Sequence, residues 1–142
     1  MNKPIAVLLA GAVLLAGSVR AQDAQDPAAV AAATDSATRW IAMVDAGKWG
    51  ETWDQAAPAL QAAVTKATWS ASMDGGRKAV GAVKSRKLQS ATFTHALPHA
   101  PAGDYVVIQY ATEFANKPQS METVVPMRLP DGSWKVSGYY VR

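Results

Sequence analysis

Hydrophobic residues recur at spacings of three and four between Asp26 and Gly47, which predicts an amphipathic first helix. Asp26 is a typical N-cap, and Pro27 suits the first helical position, where a missing N–H costs nothing. Gly47 can adopt the positive φ that ends many helices. The hydrophobic stripe runs into residues 40–53, which contain three of the five tryptophans. We therefore expect the rest of the chain to pack around this segment.

Helical periodicity resumes over residues 49–60, where Pro58 predicts a bend or a restart. Thr65 is a candidate cap for a third helix. The apolar face of that helix would carry Trp69, Met73, Gly76 and Val80. The pair Gly75-Gly76 lowers helix propensity by about 1 kcal/mol per residue relative to alanine. We therefore expect a kink or an early end at this pair.

From Lys84 the hydrophobic period changes to two, which predicts four strands. The strands are expected at residues 84–97, 105–114, 121–129 and 134–141. Pro126 indicates an edge position or a bulge in the third strand. The short connections favour an antiparallel meander with helices on one face. The pattern thus predicts a flexible N-terminus at residues 22–26 and one α+β domain over residues 27–142, in which three N-terminal helices pack on a four-stranded antiparallel sheet.

The first 21 residues have the pattern of a cleavable export signal. Lys3 precedes an apolar run over residues 5–17, and Val19 and Ala21 stand at the third and first places before the expected cut. The run is shorter than the roughly 20 residues that a membrane span needs. Because the chain has no cysteine, a lipid-anchored lipoprotein is excluded. We expect a periplasmic or secreted protein with no membrane attachment after cleavage.

Net charge gives no argument for nucleic acid as a partner. Removal of Lys3 and Arg20 with the signal lowers the formal net charge from +3 to +1. The one local basic cluster consists of Arg77, Lys78, Lys84, Arg86 and Lys87. Such a cluster is typical of a solvated helix end and strand edge, and an anionic partner is the alternative.

Several segments together resemble one known family. They are Trp40, residues 44–49, Trp53, Trp69, Arg77, Gly81, residues 85–86, residues 122–124 and residues 131–140. The combination is similar to the domain of unknown function 4019 family of small exported bacterial proteins, and it covers nearly all of the mature chain. The helix–turn–helix followed by a curved sheet also resembles the cystatin-like, or nuclear transport factor two-like, cone. The resemblance implies a fold and a compartment, because the family has no assigned activity.

A cone fold places a cavity between the helices and the concave face of the sheet, which is the default position for a ligand. The candidate cavity residues are Asp45, Trp49, Trp53, Arg77, Tyr110, Glu122 and Tyr140. Tyr139 and Tyr140 must point to opposite faces, so only one of them can line the cavity.

Asp45 and Glu122 are the candidates for a general base. The structural alternatives are that Asp45 caps a turn or pairs with Lys48, and that Glu122 pairs with a cross-strand lysine or arginine. Arg77 could clamp a carboxylate or phosphate group, or form an internal salt bridge to Glu122 or Asp45. An enzyme requires one of the two carboxylates to face the cavity without an ion-pair partner.

Motifs for cofactors, metals and covalent catalysis are missing from the sequence. His95 and His99 are the only histidines, and Pro98 between them argues against a shared metal site. No glycine-rich phosphate loop, zinc-protease motif, nucleophile elbow or CxxC pair occurs. We expect no metal and no cofactor.

The sequence favours a non-catalytic binding or interaction domain of the cell envelope, whose partner is a small molecule or an envelope protein. A homodimer through a sheet face with exposed Tyr105, Lys135 and Tyr139 is a further candidate. The alternative is a cavity enzyme of the isomerase, dehydratase or hydrolase type that uses acid–base chemistry.

Overall fold

The structure, a computed structural model, describes residues 25–142. The predicted signal peptide and residues 22–24 lie outside the described residues. The described chain contains α1 (Pro27–Asp45), α2 (Trp49–Asp54), α3 (Pro58–Ala63), α4 (Lys66–Val80), β1 (Val83–Thr94), β2 (Tyr105–Phe114), β3 (Lys117–Arg128) and β4 (Trp134–Val141). It is an α+β domain with one sheet, and this region has four helices rather than the three expected.

Helix α1 follows its hydrophobic pattern closely. The Asp26 side chain accepts a hydrogen bond of 3.0 Å from the backbone N–H of Ala29, and Pro27 takes the first helical position. Gly47 adopts a φ of 71° after the helix, as expected of a terminating glycine. The buried face consists of Ala29, Ala33, Ala37, Trp40, Ile41 and Val44. This face packs on the sheet and forms the core with it.

The prediction of a single second helix over residues 49–60 is wrong. The chain forms two short helices, and Pro58 occupies the first turn of α3. Between them the backbone N–H of Ala57 donates to the carbonyl oxygen of Val136 on β4, at 2.8 Å. Because this N–H bonds to the sheet, it is not available for a continuous helix. Pro58 therefore marks a restart, which was one of its two predicted effects.

Helix α4 is capped by Thr65, whose hydroxyl accepts from the N–H of Thr68 at 3.2 Å. The early end at Gly75-Gly76, one of the two predicted effects, is wrong, since the helix continues to Val80 and its C-cap is Gly81, with a φ of 82°. An ion pair on the same helix, from Lys78 to Asp74 at 2.7 Å, spans the glycine pair and supports this turn.

The sheet is an antiparallel meander in the order β1-β2-β3-β4, as predicted. Strands β2 and β4 have the predicted bounds. Strand β1 ends at Thr94 rather than at residue 97, and β3 starts at Lys117 rather than at residue 121, so that Pro118 lies inside the strand. Pro126 lies at a bulge on an interior strand, where its lack of an N–H disturbs the pairing least.

Two bulges decide which side chains face the helices. Ser137 is the extra residue of β4 opposite the step from Val125 to Pro126. Gln89 is the extra residue of β1 between Leu88 and Ser90. An extra residue reverses the alternation of side chains beyond it. No helix in the described part of the chain is long and apolar enough to cross a membrane.

Candidate functional site

A cavity of about 280 Å³ lies between α4, the end of α1 and the neighbouring ends of β3 and β4. Its apolar wall includes Val44 of α1, Met73 and Val80 of α4, and Val141 of β4. Gly76 also lines it, and a Cβ added at Gly76 would meet no atom within 4 Å. The volume is near the lower end of the range of ligand pockets.

Two polar contacts attach α4 to the rest of the domain, and Trp69 and Met73 also pack against the core. None of its fifteen residues is buried. Near the N-terminal end, the indole N–H of Trp69 donates to the Thr52 hydroxyl at 2.9 Å. Near the C-terminal end, Arg77 bonds to Asp45 at 2.9 Å. The helix thus spans the cavity between two polar attachments.

Four of the described residues that line the cavity have polar side chains. Arg77 and Lys117 carry positive charge, and the other two are Ser72 and Tyr139. The Tyr139 ring also packs 5.5 Å from that of Trp40. Among the described residues that line this cavity, none carries a carboxylate. Its electrostatic character is therefore cationic at an otherwise apolar surface.

Behind the cavity lies a fully buried carboxylate, Glu122, with an exposed fraction of 0%. Its Oε1 accepts from Nε of Arg86 at 2.7 Å and from the Thr112 hydroxyl at 2.5 Å. Its Oε2 accepts from the Tyr139 hydroxyl at 2.5 Å. Each carboxylate oxygen is thus hydrogen-bonded, as a buried charge requires.

Asp45 joins the two arginines at the end of α1. Its Oδ2 accepts from Arg86 at 2.7 Å, and its Oδ1 accepts from Arg77 at 2.9 Å. The Arg77 guanidinium also lies 5.2 Å from the centre of the Phe114 ring. The salt bridge between Arg77 and Asp45 confirms the structural interpretation of Arg77, whereas Asp45 pairs with these arginines and not with Lys48.

Burial and charge shift two pKa values in this network. Burial by itself lowers the pKa of Arg86, but its hydrogen bonds to Asp45 and Glu122 outweigh this effect and raise the pKa overall. Burial raises the pKa of Tyr139 strongly, and the charge of Glu122 raises it further. Both groups therefore hold their protons at neutral pH, and Tyr139 acts as a hydrogen-bond donor.

This arrangement bears on the enzyme alternative, which requires an unpaired carboxylate facing the cavity. Asp45 and Glu122 are both ion-paired, and Glu122 is enclosed by its three donors. The two carboxylates are thus occupied in holding α1, β1 and β3 together.

The remaining predicted cavity residues lie elsewhere. The indole N–H of Trp53 donates to the carbonyl oxygen of Val64 at 2.9 Å, and Trp49 is half-buried at the edge of the core. Tyr110 is buried against α1, where burial raises the pKa of its hydroxyl group. None of these three lines the cavity beneath α4.

Tyr140 points away from the cavity. Because the bulge at Ser137 reverses the alternation, Tyr139 faces the helices and Tyr140 faces the opposite side of the sheet, where 57% of it is exposed. A groove of about 660 Å³ lies there, bounded by α3 and residues 97–101. The Tyr105 hydroxyl donates to Pro101 at 2.6 Å in this region, and Tyr105 is only 1% exposed. The predicted dimer surface, with exposed Tyr105 and Tyr139, is therefore not formed as described.

Within residues 25–142 no group of three potential metal ligands comes together. Nδ1 of His95 lies 2.7 Å from Asp104. His99 lies in the loop that follows β1 and adopts a positive φ of 61°.

Sequence reasoning missed Arg86 and Lys117, and it selected Tyr140 in place of Tyr139. The alternation of Ser120, Glu122 and Val124 did place Glu122 on the helix-facing side, and an inward carboxylate requires a buried partner. That partner could not be identified as Arg86, because simple alternation back from Phe93 puts Arg86 on the outer face. Only the bulge at Gln89 turns it inward.

The family model described as "Protein of unknown function (DUF4019)" matches residues 36–139. The match includes the C-terminal half of α1, the other three helices, the bulges at Gln89 and Ser137, and the ionic network. A search of the curated proteins and a search of the solved structures each find no match to this chain.

Proposed function

Since the chain belongs to the DUF4019 family, whose description names no activity, we propose a function from the geometry of its cavity. The protein is an exported, non-catalytic domain of the cell envelope that binds a small ligand beneath α4. We also propose that its fold is a cystatin-like cone. Helices packed on a four-stranded meander with four register irregularities support that fold, since bulges bend a sheet.

The observation that carries the proposal is the partial exposure of α4. None of its fifteen residues is buried, and its apolar side chains Trp69 and Met73 pack against the core while remaining partly exposed. Met73 and Val80 face the cavity from this helix, and Val44 and Val141 face it from the other side. A ligand that fills this space would bury the apolar surfaces of both walls, which is favourable.

The binding proposal also fits the state of the carboxylates. Asp45 and Glu122 are held by arginines, so the polar groups of the cavity are suited to recognition rather than to proton transfer. Tyr139, fixed by its hydrogen bond to Glu122, supplies a rigid aromatic wall.

A paired substitution tests the site. Gly76→Leu would place a side chain in the cavity, whereas Gly75→Leu adds the same side chain one position away, outside the lining. Both changes have the same effect on helix propensity. We expect ligands found by thermal shift with the wild-type protein to bind the Gly75→Leu variant and not the Gly76→Leu variant. A ligand at about one hundred times its dissociation constant stabilises the protein by roughly 2.7 kcal/mol.

The Met73 methyl resonance provides an independent measurement, because Met73 lines the cavity. A ligand beneath α4 should shift this resonance and leave that of Met127, which lies outside the lining, unchanged. Equal binding to both leucine variants, with no shift at Met73, would place the ligand elsewhere and contradict the proposal.

The outer groove favours a second candidate function, an interaction with an envelope protein or a second copy of the chain. The observation is the exposure of Tyr140, whose ring lies within 3.2 Å of a Cβ built at Gly138. The absence of a side chain at Gly138 lets the ring lie on the sheet. Sedimentation of the wild-type protein and of Tyr140→Ala over a range of concentrations tests self-association through this face.

A further inference from the structure

We infer that the cavity beneath α4 selects a small amphiphilic anion, namely a carboxylate on an alkyl chain. The inference rests on the proposed function, because it assumes that a ligand occupies this cavity. In this arrangement the two cations of the cavity bind the carboxylate of the ligand, and the apolar wall contacts its alkyl chain.

Lys117 is the first of the two cations. It is half-buried at the start of β3 and lines the cavity. Its ammonium group forms no ion pair with any residue between positions 25 and 142. A half-buried lysine that lacks a carboxylate partner favours an anion in the space beside it.

Arg77 is the second cation, and it retains unused donors. A guanidinium has five N–H groups, and the side-chain hydrogen bonds of Arg77 to the described residues are two, both to Oδ1 of Asp45, at 2.9 and 3.3 Å. Asp45 is also bonded twice by Arg86. A ligand carboxylate can therefore bind Arg77 without leaving Asp45 uncompensated.

The charges near the cavity favour an anion over a cation. Among the described residues, Asp45 and Glu122 are the carboxylates that pair with Arg77 and Arg86, and both bond to Arg86, whose side chain is 16% exposed. Together with Arg77 and Lys117, these groups carry a formal charge of +1. A ligand ammonium group would meet Lys117 and Arg77 without an available carboxylate in the lining.

The remainder of the wall requires an apolar ligand body. Apart from Tyr139 and the exposed Ser72, the remaining side chains of the wall are apolar, among them Val44, Met73, Val80 and Val141, so a strongly polar ligand would lose water with few replacement bonds. An alkyl chain has no hydrogen bonds to water to lose, and the burial of its apolar surface is favourable. Inorganic anions and sugars are disfavoured for the same reason.

Three probes with one chain and different head groups test the inference: octanoate, 1-octanol and octyltrimethylammonium. Binding is measured by calorimetry and by the Met73 methyl resonance. We expect octanoate to bind about tenfold more tightly than 1-octanol, because a charged hydrogen bond adds to the same apolar contact. The cationic probe should bind more weakly than the alcohol.

Variants locate the head group. Lys117→Gln should lower the affinity for octanoate about threefold to fivefold and leave the affinity for 1-octanol unchanged. Lys84→Gln is the matched control, since it removes an exposed lysine of β1 outside the cavity. Increasing the salt concentration should lower the affinity for octanoate but not that for 1-octanol, because salt screens the attraction between the carboxylate and the cations of the cavity.

The outcomes separate the inference from the proposed function. If 1-octanol or the cationic probe shifts Met73 and binds as tightly as octanoate, the anion assignment is overturned and the cavity remains a binding site. If none of the three probes shifts Met73, both are overturned. An octanoate affinity that Lys117→Gln and Lys84→Gln reduce equally would also contradict the assignment.

Discussion

Nε of Arg86 on β1 lies 2.7 Å from Oε1 of Glu122 on β3, across the intervening strand β2. Arg86 is in register with Thr112, and Glu122 with Tyr110, so the two charges are diagonal neighbours over the face of β2. Glu122 is fully buried and the Arg86 side chain is 16% exposed. The ion pair is thus enclosed by protein, where removal of one partner is costly.

Arg86→Met should destabilise the protein by about 3–5 kcal/mol, because it leaves the Glu122 carboxylate buried without a countercharge. Urea denaturation at neutral pH measures the change in the free energy of unfolding. The double variant Arg86→Met/Glu122→Gln should recover part of the loss, since no buried charge remains.

Arg77→Met is the matched control for this prediction. It removes the other arginine of the network, but Asp45 is partly exposed and keeps its bonds to Arg86. We expect a loss of about 1 kcal/mol. Equal losses for the two arginine variants would show that burial of Glu122 does not decide the effect.

Thr52→Val should loosen α4. The Thr52 hydroxyl accepts from the indole N–H of Trp69 and donates to the carbonyl oxygen of Trp49 at 2.6 Å. Valine keeps the shape and leaves the indole N–H without its acceptor, at a cost of about 1–3 kcal/mol. Amide hydrogen exchange should accelerate in α4 more than in α1.

The control for Thr52→Val is Thr92→Val, an exposed position on β1. Surface substitutions of this kind change stability by about 0.5 kcal/mol or less. If exchange in α4 is unaffected by Thr52→Val, the attachment through Trp69 does not hold the helix in place.

Gly75→Ala should stabilise the protein by about 0.5–1 kcal/mol. Gly75 lies inside α4, and a Cβ added there meets no atom within 4 Å. The gain comes from helix propensity, because alanine loses less conformational entropy than glycine on folding. Thermal denaturation of the apo protein measures it.

Gly81→Ala provides the contrast, since Gly81 ends α4 with a φ of 82° and an added Cβ would lie 3.1 Å from that of Ala115. We expect destabilisation of about 1 kcal/mol or more from the backbone conformation alone, because a φ of 82° with a ψ of −166° is accessible essentially to glycine only. A stabilising Gly81→Ala would show that the positive φ at Gly81 does not require glycine. A destabilising Gly75→Ala would show that Gly75 is not merely an unfavourable helix-interior residue.

Stability should fall as the pH rises above about 10, the ordinary pKa of tyrosine. Burial raises the pKa values of Tyr105, Tyr110 and Tyr139 in the folded protein. Above that pH the unfolded chain has released protons that the native protein still holds, so the free energy of unfolding decreases with increasing pH. The contribution of these tyrosines is fully present below pH 10.

Tyr139→Phe should reduce this alkaline slope, because the substitution removes the tyrosine whose hydroxyl faces the Glu122 charge. Urea midpoints between about pH 8 and pH 11 for the wild-type protein and the variant measure the difference. An identical slope in both would mean that Tyr139 does not hold its proton in the folded state.

The sequence by itself determined the helices and strands that are defined by capping residues or by hydrophobic periodicity within the segment. Asp26, Pro27 and Gly47 bound α1 as predicted, and period-two alternation located β2 and β4. Short turns between successive strands determined the meander order, because neighbouring segments joined by a few residues pair with each other. Recognition of the family also came from the sequence, since its pattern spreads over helices and strands alike.

Tertiary structure alone decided the division of the segment after Trp49 into two helices and the composition of the cavity. The N–H of Ala57 bonds to β4, and a helix prediction from periodicity does not include such a long-range bond. The bulges at Gln89 and Ser137 arise from pairing with neighbouring strands. Each reverses the facing of the residues beyond it, which brings Arg86 to Glu122 and sets Tyr139 rather than Tyr140 beneath the helices.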